Sequence, residues 1–493
     1  MSREANIALV VHDGQHVYAG MGVHEPLARP TVMVSARAGR RRAAAADGPG
    51  SAADAAGAGA GAWLVGDALD AALARGEELE LVTPLATGDV CGHEWDALAA
   101  LWYHVVVEQL GIAPGANESF TLLALPVPIS RLTYERAAQV FFERLNVVAL
   151  CVSETPLLSA YAAGVLTAAV VGIGEEATTV AAVNDCAVYY PSAVVTRVGA
   201  VHCTYYLAHV LAQEAGVADA LRSVPEGERG AALFALAEQL VHDGHVRVDV
   251  GNVGVADAPA EADEEGAFDV ATALVEGRER DVVAEHAQTK AGPSGGAGAA
   301  SSDSVTVTFR GMQVPVGRAR LRFHEPLLRP AVLAQCSLSP VPPAVRSSLE
   351  TMHSGSQPPC VSLPEALALS VGKVPSHDRR VALWESLVVT GRLARAKGLV
   401  NELLRACATQ VSSEPTEATQ VVGEPNPMQP RAVRALKVPD YFSEFKERAD
   451  LVSFLGATIF GKLVFGDLSG RNYITKTQYN EAGPSVAFTA GSG

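Results

Sequence analysis

The side chains best able to do chemistry in this chain lie in two short glycine-containing segments. The first, residues 12–16 (HDGQH), places two imidazoles four residues apart, a spacing that joins metal ligands when both lie on a helix. The central Asp13-Gly14 is instead typical of a turn, which disfavours a metal site. The second, residues 172–176 (GIGEE), ends in two adjacent carboxylates, and like charges this close repel each other.

Sequence fingerprints of common catalytic sites fail in this chain. Gly20-Met-Gly22 is not followed by a third glycine, because Glu25 stands at that position, so a dinucleotide fingerprint is excluded. The chain contains no H-E-x-x-H zinc motif. Its seven cysteines are scattered and none forms a C-x-x-C pair, which argues against a zinc site and against a disulfide framework.

Length, composition and charge limit the class of protein. The 493 residues suffice for about three domain-sized units, and the apolar share of 48% excludes wholesale disorder. The net charge of −16 argues against a protein that wraps nucleic acid with its own surface, because such binding depends on neutralising phosphates. That charge still fits a nuclear protein that sits beside other nucleic-acid binders.

No segment is predicted to target the chain to a membrane. The apolar stretch near the start, residues 7–11, is too short for a signal peptide. Residues 155–174 carry no charge and are long enough to span a bilayer, but they include Pro156 and several glycines and lack basic anchors. We therefore expect a buried helix followed by a buried strand, and a cytoplasmic or nuclear location.

The elements that must position these residues alternate between strands and helices, which predicts sheets flanked by helices. Predicted strands and helices occupy residues 6–11, 95–110, 120–127, 134–145 and 147–152, and a hairpin at 168–183 turns around residues 174–176.

Three segments of biased composition are predicted to be insertions in this scaffold, at residues 37–62, 257–303 and 409–430. The first is nearly all Ala, Gly and Arg, the second is acidic and then rich in Gly and Ser, and the third is polar with four prolines. The arginine run at 40–42 fits an import signal, although a solvated charge cluster is favoured.

Blocks of sequence outside these insertions resemble the actin superfamily, in the actin order. They lie at residues 63–67, 84–90, 95–104, 139–147, 158–164, 311–327, 454–459 and 474–485. The resemblance implies an α/β, actin-like two-lobed fold of duplicated ribonuclease H-like domains and four subdomains, which closes on a nucleotide. The lobes are expected at residues 1–164 and 165–402, and residues 431–493 are expected to return to the first lobe.

Hydrolysis at such a site needs two phosphate-binding turns, a lysine, two carboxylates for the cation and a glutamine beside the attacking water. In the first turn Gly14 is kept and the lysine is absent. The metal-side aspartate aligns with His12, or with Asp13 after a one-residue shift. In the second turn Gly172 replaces the other aspartate and Glu176 replaces a glycine. Glu175 is an alternative metal ligand, but a solvent-exposed hairpin tip is favoured.

Of the other nucleotide-contacting positions that the resemblance implies, some are kept and some are changed. The resemblance assigns Gln139 to the water-positioning glutamine and Glu238 to the ribose, whereas Arg392 brings bulk to the turn at Gly391 and Asp450 replaces a lysine. The predicted vestigial nucleotide-binding residues are Asp13, Gly14, Gln139, Gly174, Glu175, Glu238 and Gly391. We expect no catalytic residue, no metal ligand and no ATP hydrolysis, and ATP is left open only as a structural ligand.

The segment at residues 436–446 resembles the fungal actin-related protein nine family, nuclear subunits of SWI/SNF and RSC remodellers. That resemblance implies a non-catalytic subunit that pairs with a second actin-related protein and docks on the helicase/SANT-associated helix of a remodeller ATPase. The helix is expected to insert in a groove near residues 474–484, which include Tyr479. Contact with chromatin would then be indirect, and no membrane is involved. The alternatives are a subunit of an SWR-type remodeller or of dynactin, and a residual ATPase of the same fold.

Overall fold

Two large sheets carry the fold, and the segments predicted as buried strands form their centres. The computed structural model describes residues 3–23, 29–41, 63–86, 88–90, 92, 94–248, 304–354, 360–413, 432–467 and 470–489. The predicted insertion at 257–303 lies outside the described residues, as do residues 42–62 of the first insertion and 414–430 of the third.

Strands and helices alternate along the chain. The strands are β1 (Ile7–His12), β2 (His16–Met21), β3 (Val32–Ser35), β4 (Ala38–Arg41), β5 (Trp63–Val65), β6 (Leu79–Val82), β7 (Phe120–Leu125), β8 (Ala149–Glu154), β9 (Ala168–Ile173), β10 (Thr178–Asn184), β11 (Ala187–Val188), β12 (Val194–Thr196), β13 (Val305–Phe309), β14 (Met312–Val316), β15 (Leu387–Thr390) and β16 (Ile474–Thr475). The helices are α1 (Gly66–Ala74), α2 (Glu94–Tyr103), α3 (Arg131–Gln139), α4 (Thr155–Ala162), α5 (Ala200–Leu211), α6 (Ala215–Ala220), α7 (Glu226–His242), α8 (Glu325–Leu328), α9 (Pro343–Ser354), α10 (Leu363–Gly372), α11 (His377–Trp384), α12 (Leu399–Ser413), α13 (Val452–Gly466), α14 (Lys476–Ala482) and α15 (Val486–Thr489). Helices α2 and α3 continue as π-helical turns over His104–Gln109 and Val140–Arg144.

The two large sheets repeat one arrangement of strands. In the first sheet, of order β16–β8–β7–β1–β2–β3, the antiparallel hairpin β1–β2 lies beside the parallel strand β7. In the second, of order β11–β10–β9–β15, the hairpin β9–β10 lies beside the parallel strand β15. Two smaller sheets complete the fold, one with β4 between β5 and β6 and the other the hairpin β13–β14.

Helices α4 and α13 join the two large sheets. Helix α13 packs on β1 and β7 of the first sheet, and α4 packs on β9 and β10 of the second. The two helices touch at Gly456, where an added Cβ atom would overlap the carbonyl group of Leu158. Glycine is therefore required here by the close approach of two backbones, and this contact places the two sheets beside one another.

The structure confirms most of the predicted elements and moves two boundaries. Residues 155–174 form the buried helix α4 and the buried strand β9, as expected. The predicted lobe boundary at 164–165 falls in the loop between them. Residues 38–41, placed in the first insertion, form strand β4, where Arg40 pairs with Glu80 at 2.9 Å. Residues 409–413, placed in the third insertion, form the end of α12.

One apolar stretch in the described part of the chain has the length and composition of a membrane-crossing helix, Ala449–Gly466. It includes α13, and 61% of the stretch is buried inside the protein. Burial of this extent is what the core helix of a folded domain shows.

Replacing Gly456 with alanine should strongly destabilise the protein. The new methyl group has no room against the α4 backbone, so we expect a loss of about 3 kcal/mol in the free energy of unfolding, measured by urea denaturation. Gly466→Ala in the same helix is the matched control, because an added Cβ there meets nothing within 4 Å. Equal stabilities of the two variants would contradict this account of the helix contact.

Candidate functional site

A narrow cleft lies between the two large sheets. Its walls come from the β1–β2 turn, the residues after β7, the start of α4, the β9–β10 turn and the end of β15. The carboxyl ends of parallel strands thus meet at this edge, where α/β proteins bind ligands. The cavity measures about 70 Å³, against roughly 300–1,000 Å³ for ordinary small-molecule pockets.

The first turn binds its own side chain. The Oδ1 atom of Asp13 accepts hydrogen bonds from the backbone N–H groups of Gln15 at 2.8 Å and of His16 at 2.6 Å. These are the backbone donors that a phosphate group would need at a tight turn. Burial raises the pKa of Asp13, and the nearby His16 opposes that rise. Asp13 therefore occupies these two backbone donors and leaves them unavailable to a phosphate.

His12 lies in the core. It is fully buried at the end of β1, its ring stands edge-on to Trp102 at 6.5 Å, and burial lowers its pKa to about 3. Of the two positions considered for the metal-side carboxylate, only Asp13 lines the cleft. Among the described residues, no group of three or more His, Cys, Asp and Glu side chains could hold a metal ion.

The second turn packs on α5, whereas the sequence analysis favoured an exposed hairpin tip. The carbonyl oxygens of Gly174 and Glu175 accept the backbone N–H groups of Ala200 and Val201 at 2.9 Å each. A side chain at Gly199 would overlap the carbonyl of Glu175, so the two segments lie in contact. The backbone donors at the start of α5 thus serve the protein's own turn, although such donors suit anions.

A charged pair stands beside this turn. The Nη2 atom of Arg392 lies 2.6 Å from a carboxylate oxygen of Glu175. The preceding Gly391 has a φ of 106°, and a side chain there would overlap the carbonyl of Ile173, so the turn is packed on β9. The guanidinium and the carboxylate neutralise each other, and both are partly exposed.

Glu238 lies in a neighbouring groove, with Arg392 on its wall. The groove is also lined by Thr204, Gln239, Val241 and His242. Burial and the charge of Glu175 raise the pKa of Glu238, and Arg392 opposes the rise. Burial and Glu175 also raise the pKa of Glu176. Arg392 therefore faces the carboxylates of Glu175 and Glu238, which offset its charge and leave little of it for an anionic ligand.

Asp450, which aligns with a lysine in the actin resemblance, does line the cleft. Its carboxylate pairs with Arg448 at 2.7 Å, and the backbone N–H of Gly391 donates to the carbonyl of Ala449 at 3.1 Å. The carboxylates of Asp13 and Asp450 therefore both line the cleft, and they disfavour the binding of an anionic ligand.

Gln139 lies away from the cleft, which corrects its predicted position. It ends α3 and lines a separate groove with Trp95, Asp96, Ala99, Arg136, Val140, Glu143 and Arg144. The cleft instead contains Thr155, the first residue of α4, directly after β8. Thr155 could have been predicted from its place at the carboxyl end of a buried strand. Gln139 could not be placed in this way, because a position on a helix alone does not show where a side chain points.

Known proteins show the same resemblance. The Actin family model matches residues 6–225. The SWI/SNF and RSC complexes subunit arp9 of Schizosaccharomyces pombe is 26% identical over 443 residues, which cover 83% of this chain and 79% of that protein.

Two further relatives match over shorter stretches. Actin-related protein 4 of Oryza sativa subsp. indica is 32% identical over 125 residues, covering 25% of this chain and 27% of that protein. Centractin of Saccharomyces cerevisiae is 32% identical over 140 residues, covering 28% of this chain and 35% of that protein.

His12 predicts a pH dependence of stability. Burial holds its pKa at about 3 in the folded protein, against 6.5 for an unperturbed imidazole. Between these pH values the unfolded chain binds more protons than the folded protein. The contribution of His12 to the free energy of unfolding is therefore fully present above about pH 6.5 and decreases as the pH falls. The His12 contribution is up to ~1.4 kcal/mol per pH unit.

Urea denaturation at about pH 7, 6 and 5 measures this slope. His12→Leu should remove that part of the slope, and His242→Leu, at an exposed histidine, should not. If wild type and His12→Leu lose stability equally on acidification, the buried neutral imidazole is not the cause.

Proposed function

The chain is an actin-related protein with the actin fold, and we propose that it serves as a non-catalytic subunit of a SWI/SNF- or RSC-type chromatin-remodelling complex. The match to the subunit of those complexes carries the proposal, because it runs over most of both chains. The shorter matches to actin-related protein 4 and centractin support membership of the actin-related proteins, but each covers too little of the chain to favour another assembly. A nuclear location follows from the proposed role.

The cleft supports a non-catalytic role. Phosphoryl transfer depends on positioned cations and donors that stabilise charge on the transferred group. Here the first turn donates to Asp13, and the second turn has Glu175 paired with Arg392. These groups of both turns bond within the protein itself, which supports the proposed non-catalytic role.

The docking surface in this proposal lies on the α4–α13 pair. Tyr161 of α4 contacts Phe460 of α13 with ring centroids 5.3 Å apart. Leu463, one turn further along α13, is 59% exposed, and Leu166, just after α4, is 56% exposed. We call these four residues the α4–α13 surface. Its exposed apolar side chains are suited to the apolar face of a partner helix.

The C-terminal segment, where the sequence analysis expected the groove, is part of the fold instead. Tyr479 is 7% exposed, stacks on Phe142 with centroids 4.6 Å apart, and donates its hydroxyl to Glu143 at 2.6 Å. A charge at Tyr479 would therefore disturb folding and would not test docking. With a net charge of −16 on this chain, the proposed partner helix is basic, which speeds association at low salt.

The purified protein should release no phosphate from Mg-ATP above a no-protein control, because donors of the first turn bond to Asp13 and Glu175 of the second turn pairs with Arg392. A steady-state phosphate assay measures this. Turnover that Asp13→Asn abolishes, while thermal stability is kept, would show that the cleft is a working site and would contradict the proposal.

Aspartate at Leu463 should weaken co-purification of a remodeller ATPase from nuclear extract. A charge buried in this apolar contact opposes the attraction between the surface and the partner helix. We therefore expect at least about a tenfold loss of recovered partner. Leu369→Asp is the matched control, since this leucine is 48% exposed on α10, away from the surface. If Leu463→Asp recovers the ATPase at wild-type level, this surface is excluded as the docking site. If the wild-type protein recovers no remodeller ATPase, the proposed complex is excluded.

A further inference from the structure

Three oxygen-bearing side chains meet where the chain crosses from the first sheet to the second. Tyr134 belongs to α3, Glu154 is the last residue of β8, and Tyr190 begins the 3₁₀ turn between β11 and β12. The hydroxyl of Tyr134 lies 2.5 Å from Oε1 of Glu154 and 2.5 Å from the hydroxyl of Tyr190. The hydroxyl of Tyr190 lies 2.9 Å from the same Oε1 atom. We call these residues the tyrosine cluster.

Both hydroxyls of this cluster can donate to the carboxylate of Glu154. Burial and the charge of Glu154 raise the pKa of both tyrosines, so both hydroxyls stay protonated and donate. The carboxylate accepts, and hydrogen bonds to an ionised acceptor are stronger than neutral ones. Because Tyr134 is buried, leaving its hydroxyl or the carboxylate without a partner would cost free energy.

The cluster spans the two halves of the fold. Glu154 ends β8 of the first sheet and Tyr134 lies in α3, whereas Tyr190 lies in the turn between β11 and β12 of the second sheet. Glu154 is followed directly by Thr155 and Pro156, which line the cleft and begin α4. Any rotation of one lobe against the other about this crossing must change the distance from Tyr190 to the other two residues.

We propose that the tyrosine cluster is a clamp that fixes the angle between the lobes without a ligand. In a two-lobed fold a bound ligand can hold the lobes together by contacting both. Here the cleft is about 70 Å³ and Asp13 occupies the backbone donors of Gln15 and His16, so the clamp supplies contacts between lobes from the chain itself. This inference does not depend on which complex the protein joins.

Hydrogen exchange on the full chain, with no nucleotide added, tests the clamp. Tyr190 is 36% exposed, so Tyr190→Phe removes one hydroxyl without emptying the core. We expect amides of residues 155–165 and of the β9–β10 turn to exchange about fivefold faster, with the core strands β1 and β7 unchanged. Tyr189→Phe is the matched control, because its hydroxyl is not part of the cluster.

A double-mutant cycle separates a clamp from a general loss of stability. If the three groups act together, Tyr134→Phe in the Tyr190→Phe background should accelerate exchange much less than it does in the wild type. Additive effects of the two substitutions would overturn the clamp. Unchanged exchange in Tyr190→Phe, or an equal change in Tyr189→Phe, would overturn it as well.

Discussion

The approach of α4 to α13 at Gly456 sets the relation between the two halves of the molecule. An amide backbone can lie against another helix this closely only where no Cβ intervenes, so one glycine determines how near the first sheet comes to the second. The first sheet rests on α13 and the second on α4, so the cleft takes its width from this contact. The cleft and the tyrosine cluster lie at the start of α4, and the α4–α13 surface lies at its other end.

Within that frame the cleft lies at the strand ends where α/β proteins bind ligands, and several groups around it bond to one another. Backbone donors at the β1–β2 turn serve Asp13, and those at the start of α5 serve the carbonyls of the β9–β10 turn. Arg392 and Glu175 neutralise each other at the rim. These backbone donors and this ion pair therefore have partners inside the chain, which removes the cost of leaving them unsatisfied when no ligand is bound.

Sequence reasoning captured what is periodic and missed what depends on distant contacts. Apolar alternation located the β9–β10 hairpin and the buried helix α4, because one buried face imposes the period. The packing of Glu175 on α5 could not be predicted, since it depends on residues some 25 positions away. Gln139 was misplaced because a glutamine can lie on several faces of a helix. Tyr479 was predicted to be a docking residue because an aromatic side chain near a chain end suits that role, and its stacking on Phe142 is visible only in the structure.

A subunit that works by docking gains from a surface of constant shape, because order already present in the free protein need not be imposed at binding. Helix α4 begins at the tyrosine cluster and ends beside the α4–α13 surface, and Gly456 holds its middle against α13. If the proposed clamp fixes the lobes, the same helix carries that rigidity to the proposed docking surface. In the proposed non-catalytic role the actin fold can be kept without a working nucleotide site, since the lobes need not open and close around a ligand.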